Sequence, residues 1–475
     1  MNERFDKEFS EALAEQTQAI MRIRPESLLE SRLDLRGAAT LTFAASRNDP
    51  ASCAMSLSKT PQGSTLAVHV ADVTEFSEPS APLDDAALET GEGVPGRRYL
   101  FPAILISETF NFIPGEDRPA LSVFLDFDSE ENLVNVSFDE TVIRNDHCCL
   151  FSEVDELEIS GDASAVMALR ARYSPFAGMI DDLYALAAKL RSERRERGGM
   201  IIPKYEPKFT FNDNARPIAF SRTAEPDSRA MLRELLIFAA SALGEYCRRE
   251  HYPALYNTRK AFSRPFLKKL SGAFGLDVIT PDIKENEATL LCEAASGRES
   301  EPTLADELRL YMPPRVYSAQ PGFNAISGTK YNVSFTKPTL RYADLVNHRI
   351  IKAIISAKRG NRVGPNAAFE KQFYDNDLRS ALQQTAENAA ERMSAIAAEA
   401  AQKNAEAELA ERLAVMSPGS FVRGYAFDVH GGAYTILLEN NLRMPYRGDI
   451  SRLSLRRAAD MRIVRSGEKY AVEAF

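Results

Sequence analysis

The spacing of apolar residues divides the chain into stretches of different period. Phe5, Phe9, Leu13, Ile20 and Ile23 recur at roughly helical intervals. Residues 1–31 therefore read as an N-terminal helical extension leading into a charged connector, too short for a domain of its own. From Thr40 to Thr141 a period of two takes over: STLAVHVADV follows the turn PQG, ALSVFLDFD follows IPGEDRP, and LVNVSFDETVI follows DSEEN. Such runs predict strands of one sheet. Helical spacing returns in FAGMIDDLYALAAKLRSERRER, closed by Gly198 and Gly199, and in RAMLRELLIFAASALGEYCRRE, with a strand-like IIPKYEPKFTF between them. Residues 366–416 contain an Ala- and Glu-rich run of strong helix formers, for which one or two long helices are expected. After SPG the chain alternates again around Gly431 and Gly432, as the hairpins of a small barrel do. The expected fold class is α+β.

Composition narrows the function classes. Apolar residues make up 44% and charged residues 26% of the chain, ordinary for a globular protein, and there is no 18-residue apolar run to form a transmembrane helix. Charges interrupt MNERFDKEFSEALAEQ where a secretory signal needs an apolar stretch, so a cytoplasmic location without membrane contact is expected. Five cysteines (Cys53, Cys148, Cys149, Cys247 and Cys292) show no C-x-x-C spacing and predict neither a disulfide framework nor a zinc site. With 58 basic and 67 acidic residues the net charge is −9, so any nucleic-acid contact must rest on local basic patches.

Several short patterns carry little. GEGVPG at 91–96 satisfies G-x-G-x-x-G, yet it follows a helical stretch rather than a strand, and Pro95 has no amide to offer a phosphate. The histidines His69, His147, His251, His348 and His430 are scattered, and none is assigned to a metal. Asp84 and Asp85 follow Ser-Ala-Pro, where helix starts favour acids, while Asp126 and Asp128 alternate along a strand before a turn. Both pairs read as structural.

Residues 331–349, YNVSFTKPTLRYADLVNHR, are far more specific. They resemble the hallmark segment of the ribonuclease II family, Y-x-x-F-T-S-P-[IL]-R-R-Y-x-D-L-x-x-H-R. PGEDRPALSVFL at 114–125 and AVHVAD at 67–72 are similar to further stretches of that family's RNB domain, in the same order. RAMLRELLIFAASALGEY at 229–246 and PALY at 253–256 resemble its central helix and the strand behind it. The resemblance implies an RNB-type domain over 32–416, including the long Ala/Glu-rich helices, and an OB-type RNA-binding barrel over 417–475. It leaves no room for the family's paired N-terminal cold-shock domains. Members of this family degrade RNA processively from its 3′ end, with Mg²⁺ activating water at the terminal phosphodiester.

The likeness breaks at the chemistry. The family holds its metal with D-x5-D-x-D-D-A, and the corresponding positions here are Ala44, Pro50, Ser52 and Cys53, followed by the matching Ala54. A hard cation beside phosphate needs anionic oxygens, which none of these four supplies, although Cys53 as a thiolate would suit a softer metal. Asp49 lies one residue from the second position. Leu340 replaces the first of the family's two hallmark arginines, Lys337 its serine, Asn257 its arginine after I-Y and Ala240 its helix asparagine, and Pro95 falls near its base-stacking tyrosine. The resemblance therefore implies an RNA-binding relative with no catalytic residues assigned, no metal site and no cofactor, Mg²⁺ entering only if activity survives.

Pro338 is expected to start a helix and set Lys337 and Arg341 near its positive end, suited to phosphate. These two, with Arg452, Arg456, Arg457, Arg462 and Arg465 of the C-terminal basic stretch, are the candidate RNA contacts. For Tyr342, Asp344, His348 and Arg349 a functional role and a purely packing role stand open. The expected partner is single-stranded RNA, with a protein partner possible. The competing functions are an active exoribonuclease with a rearranged site and a purely structural subunit.

Overall fold

The structure, a computed structural model, describes residues 3–23, 26–157, 164–214, 216–279, 286–359, 378–430, 433–449, 458–466 and 469–474. The chain divides into two compact units: Met1–Glu193 with Pro226–Thr258 and Arg315–Ala400, and Arg194–Glu225 with Arg259–Pro314 and Ala401–Phe475. The boundary expected at 416/417 falls inside the second unit.

The first unit is built on a seven-stranded sheet in which the predicted alternating runs pair as antiparallel neighbours. Its strands are β1 (Leu33–Asp34), β2 (Leu41–Ala44), β3 (Cys53–Thr60), β4 (Gly63–Ala71), β5 (Asp117–Asp128), β6 (Leu133–Arg144) and β7 (His147–Leu150), in the order β1-β6-β5-β4-β3-β2-β7. β1 and β7 add parallel to β6 and β2. Its helices are α1 (Glu3–Met21), α2 (Glu26–Leu29), α3 (Pro82–Thr90), α4 (Phe151–Leu157), α5 (Ser164–Tyr173), α6 (Ala177–Glu196), of which the last turn belongs to the second unit, and α7 (Asp227–Arg249). The N-terminal helix ends at Met21, four residues before Pro25, rather than running through the whole of the 1–31 extension. A proline inside a helix removes a hydrogen bond and clashes with the preceding turn.

Period-two alternation assigns the faces of this sheet. Leu66, Val68 and Val70 of β4 and Leu121, Val123 and Leu125 of β5 enter one core with Met231, Leu235 and Leu243 of α7. Ala71, Ala54 and Ala120 face the other core, which holds Leu83 and Ala87 of α3 together with Leu345 and Ile350. Across that second face runs a buried polar row. Thr40 Oγ1 lies 2.8 Å from Ser56 Oγ, Ser56 3.0 Å from His69 Nε2, His69 Nδ1 2.7 Å from Ser122 Oγ, and Ser122 2.6 Å from Thr141 Oγ1. His69 is thus a satisfied core residue, and burial holds its pKa down at about 3. Asp126 likewise accepts from Thr65 and Asn135 along the sheet, and Asp128 caps the turn before Asn132, so this pair is structural.

The second unit begins with a hairpin, β8 (Tyr205–Phe211) and β9 (Pro217–Ala224), whose second strand lacks the alternation that would reveal it. It continues through α8 (Arg264–Ala273), α9 (Glu287–Ala295) and α10 (Glu301–Leu310). Two short strands, β10 (Tyr256–Thr258) and β11 (Val316–Ser318), pair in the first unit, as does the following helix α11 (Tyr342–Arg359). The Ala/Glu-rich run forms α12 (Leu378–Ala414), while residues 366–377 lie outside the described residues.

The C-terminal strands β12 (Phe421–His430), β13 (Ala433–Leu438), β14 (Arg443–Pro445), β15 (Ala459–Ser466) and β16 (Lys469–Ala474) form a five-stranded antiparallel sheet, β14-β13-β12-β15-β16. Tyr446 bridges to Val472, and Arg447 N donates to Val472 O at 2.7 Å, which brings the two edges together into a nearly closed, OB-type barrel. Within this unit Arg412 is fully buried, with Nη2 2.6 Å from Asp306 Oδ2 and Nη1 2.9 Å from Asn440 O, and it also pairs with Glu408. Glu307, held between Asn441 and Arg443, joins the same network.

Two outcomes follow. The folded pKa of His69 lies below the ordinary 6.5, so the unfolded chain takes up its proton first on acidification. Its contribution is fully present above pH 6.5 and is lost as pH falls toward 3, with a slope of up to about 1.4 kcal/mol per pH unit. Thermal melts of His69→Gln should show a flatter slope between pH 6.5 and 4 than the parent. Arg412→Met removes one of three guanidinium partners of the buried Asp306 carboxylate, leaving Arg222 at 3.1 Å and Arg309 at 2.6 Å, and should cost about 1.5–3 kcal/mol of stability, read by urea unfolding.

Candidate nucleic-acid interface

Residues 331–341 form an extended strap that leads into α11. Close approach fixes its start: a Cβ on Gly244 of α7 would overlap the Tyr331 carbonyl oxygen, which explains a glycine inside an otherwise strongly helical run. Val333 N donates to Ala240 O at 3.2 Å and Asn257 N to Asn332 O at 2.7 Å, so strap, α7 and β10 share one hydrogen-bonding layer. Asn347 of α11 ties it from below, accepting from Leu255 N (2.8 Å) and donating to Ser334 O (2.6 Å) and Leu255 O (2.9 Å). His348 Nε2 donates to Phe335 O at 2.7 Å, and burial lowers its pKa.

The GEGVPG loop holds the other side. Gly93 N donates to Leu340 O at 2.8 Å, Tyr342 N to Gly91 O at 2.9 Å, and Leu100 N to Thr339 O at 3.0 Å. A Cβ at Gly93 would run into the Arg98 carbonyl. The glycines thus serve a backbone-to-backbone contact with the strap. Glu92 also pairs with Arg315.

Helix α11 begins at Tyr342, four residues later than Pro338. Residues 338–340 form a turn in which both Leu340 N and Arg341 N donate to Lys337 O at 3.0 Å. The shift matters for charge. Asp344 Oδ2 accepts from Lys337 N and from Arg341 Nη2, each at 2.7 Å, so the Arg341 side chain is committed to a buried carboxylate and only 14% exposed. Burial lowers the Arg341 pKa while the Asp344 charge raises it, and the net direction is up. Lys337 is exposed.

Tyr342, Asp344, His348 and Arg349 all have hydrogen-bond partners within the first unit. Arg349 Nη2 lies 2.5 Å from Asp84 Oδ1 and 3.0 Å from Ser77 O, and its Nη1 donates to Tyr342 OH, which itself donates to Asp84 at 2.9 Å. Asp84 is therefore more than the helix-start acid expected of it: it is the buried counter-charge of α11. One turn on, Lys352 Nζ pairs with Asp72 (3.1 Å) and Glu75 (2.5 Å), and Arg32 with the same two acids (2.7 and 2.9 Å).

The segment aligned with the family's aspartates lies against the strap. Ser52 Oγ is 3.3 Å from Thr339 Oγ1, and Ala51 N donates to Asn111 Oδ1 at 2.9 Å. Burial pushes the Cys53 thiol up to about 12, with Lys337 pulling the other way, so it remains protonated and is a poor ligand even for a soft metal. Asp49 is exposed and accepts from Ser46 N at 3.1 Å. These residues do not fit Mg²⁺. Among the described residues one group of three acids has metal-ligand geometry, Asp72, Glu75 and Glu140, and Arg32 and Lys352 already occupy it.

Of the basic residues proposed in the barrel, Arg462 and Arg465 are exposed on β15, three positions apart and so on opposite faces, and Arg465 lies 5.5 Å from the Tyr470 ring centre. Arg452, Arg456 and Arg457 lie outside the described residues. Sequence reasoning singled out Asn257 but missed its amide neighbours, Asn324 and the strap's own Asn332, where Asn324 Nδ2 donates to Asn257 O at 2.8 Å and Asn332 Nδ2 to Ser241 Oγ at 3.2 Å. No spacing rule brings three distant asparagines together.

An α+β unit with this strap and helix, together with an OB-type barrel, defines the class of RNB-fold proteins. The match to the RNB domain covers residues 32–357, and the chain belongs to that family. It is 25% identical over 390 residues to ribonuclease R of Vibrio parahaemolyticus, a match covering 78% of this chain and 45% of that one, so the chain spans less than half the length of this relative. Among solved structures, Mycoplasma genitalium RNase R in complex with ribose-methylated single-stranded RNA superposes with a TM-score of 0.76 at 15% identity, covering 98% and 75% of the two chains. Yeast Ssd1, a pseudonuclease, superposes at 0.58 with 16% identity, covering 93% and 53%.

Gly244→Ala provides a direct test of the strap. Alanine is the better helix former by about 1 kcal/mol, yet the overlap with Tyr331 should reverse the sign and cost about 1–3 kcal/mol in urea unfolding.

Proposed function

We propose that the chain binds single-stranded RNA through its RNB fold, in the cytoplasm, and has lost or nearly lost the family's 3′-to-5′ hydrolysis. The observation that carries this reading is the loop containing Pro50, Ser52 and Cys53. At Ser52 it lies against Thr339 of the hallmark strap, and its one carboxylate, the exposed Asp49, falls short of the several anionic oxygens that a magnesium ion beside phosphate needs. Leu340 adds to it, since its side chain cannot donate to a developing oxyanion, and Arg341 is held by Asp344. Lys337 is then the phosphate contact of the strap. Arg462 and Arg465, with Arg452, Arg456 and Arg457, supply those of the barrel, residues 417–475, acting as the RNA-binding domain.

The test is a gel-shift titration on end-labelled single-stranded RNA at several salt concentrations, run beside a degradation assay in Mg²⁺ or Mn²⁺. The expected result is binding without shortening, with log K falling by about 0.7 per phosphate contact for each tenfold rise in salt and the slope reduced by about that amount in Lys337→Ala. Activity should appear only after Ala44→Asp, Pro50→Asp, Ser52→Asp and Cys53→Asp are combined with Leu340→Arg. Metal-dependent shortening by the unmodified protein, abolished by Asp49→Asn, would establish the active exoribonuclease instead. Failure to bind any oligonucleotide would favour the structural-subunit reading.

A further inference from the structure

A cavity of about 350 Å³ opens beside the C-terminal end of α7, within the first unit, in the lower part of the ~300–1,000 Å³ range of small-molecule sites. Arg248 comes from the last turn of α7, His251 and Tyr252 from the residues just past it, Gln320 from beyond β11, and Arg379 and Gln383 from the first turns of α12. No Asp or Glu is among the described residues that line it. On a chain of net charge −9 this is a local inversion of sign, and it suits an anion. Tyr252 lies 5.0 Å from Lys358 Nζ and 5.9 Å from the Arg379 guanidinium, which position its ring as an aromatic wall. Gln383 is anchored on Glu387 at 2.8 Å.

A backbone outlier marks the same place. His251 has φ +57, and Tyr252 N donates to Cys247 O at 2.7 Å, the bond that closes a helix on a left-handed residue. Glycine fills such a position without strain, whereas histidine occupies it at a cost, and here it lines the cavity.

We propose that this cavity binds a nucleoside 5′-monophosphate, with Arg248, Arg379 and His251 on the phosphate, the base against Tyr252, and the amides of Gln320 and Gln383 on the base edge. Guanidinium groups pair with phosphate through parallel charge-assisted bonds, and an amide offers both donor and acceptor to a base.

The experiment is isothermal titration of the full-length protein with AMP, GMP, CMP, UMP and inorganic phosphate, and with a 5′-phosphorylated tetranucleotide. At least one mononucleotide should bind more tightly than inorganic phosphate, with a loss of about tenfold or more in each of Arg248→Gln and Arg379→Gln and none in Lys337→Ala. Tighter, Arg248-dependent binding of the tetranucleotide would identify the ligand as the end of an RNA strand, and equal or weaker binding as a free nucleotide. His251→Gly separates function from folding, because it should raise the thermal midpoint of the unliganded protein while weakening nucleotide binding. No mononucleotide binding at millimolar concentration, or binding unchanged in both arginine variants, would overturn the proposal.

Discussion

The first unit depends on burying α11, a helix that carries charge on nearly every turn. Asp344, Asn347, His348, Arg349 and Lys352 are all buried with Leu345, Ile350 and Ile354. A charge taken from water without a partner costs more than an apolar contact returns, so each of these groups must find its complement elsewhere in the chain. Arg349 finds Asp84, Lys352 finds Asp72 and Glu75, and Asn347 finds the backbone of β10 and the strap. These pairings span up to 280 positions in sequence, and they set the register of α3, the central sheet and the strap against one helix.

The same constraint decides which charged groups are taken up inside the first unit. Arg341 looks like a phosphate-binding residue from its position in the motif, yet Asp344 claims it. Lys337, whose amide is held by Asp344, is exposed. Asp72, Glu75 and Glu140 have the spacing of a metal site but neutralise Arg32 and Lys352. Counting acids or arginines therefore misleads. What matters is which of them are buried against an internal counter-charge.

Glycine positions tell a parallel story. Gly93 matched a phosphate-loop pattern, and Gly244 interrupted a good helix without evident cause. Both sit where one backbone presses on another, Gly93 on the Arg98 carbonyl and Gly244 on that of Tyr331. The requirement is steric, and local sequence does not contain the neighbour that imposes it.

Residue periodicity and the hallmark segment were enough to define the α+β class, the strands β4, β5 and β6, the helix α7 and the hairpin of β12 and β13, because alternation and helical spacing depend only on which face of an element meets an apolar core. That Ala44, Pro50, Ser52 and Cys53 carry no carboxylate was legible directly, since a side chain without an anionic oxygen cannot acquire one by folding. The start of α11, the commitment of Arg341, the counter-charge role of Asp84, the partner strand β9 and the cavity beside His251 were decided by tertiary structure alone. Each depends on groups brought together from distant parts of the chain, and the energy of an ion pair or a close contact is fixed by distance and burial, neither of which is written in the order of residues.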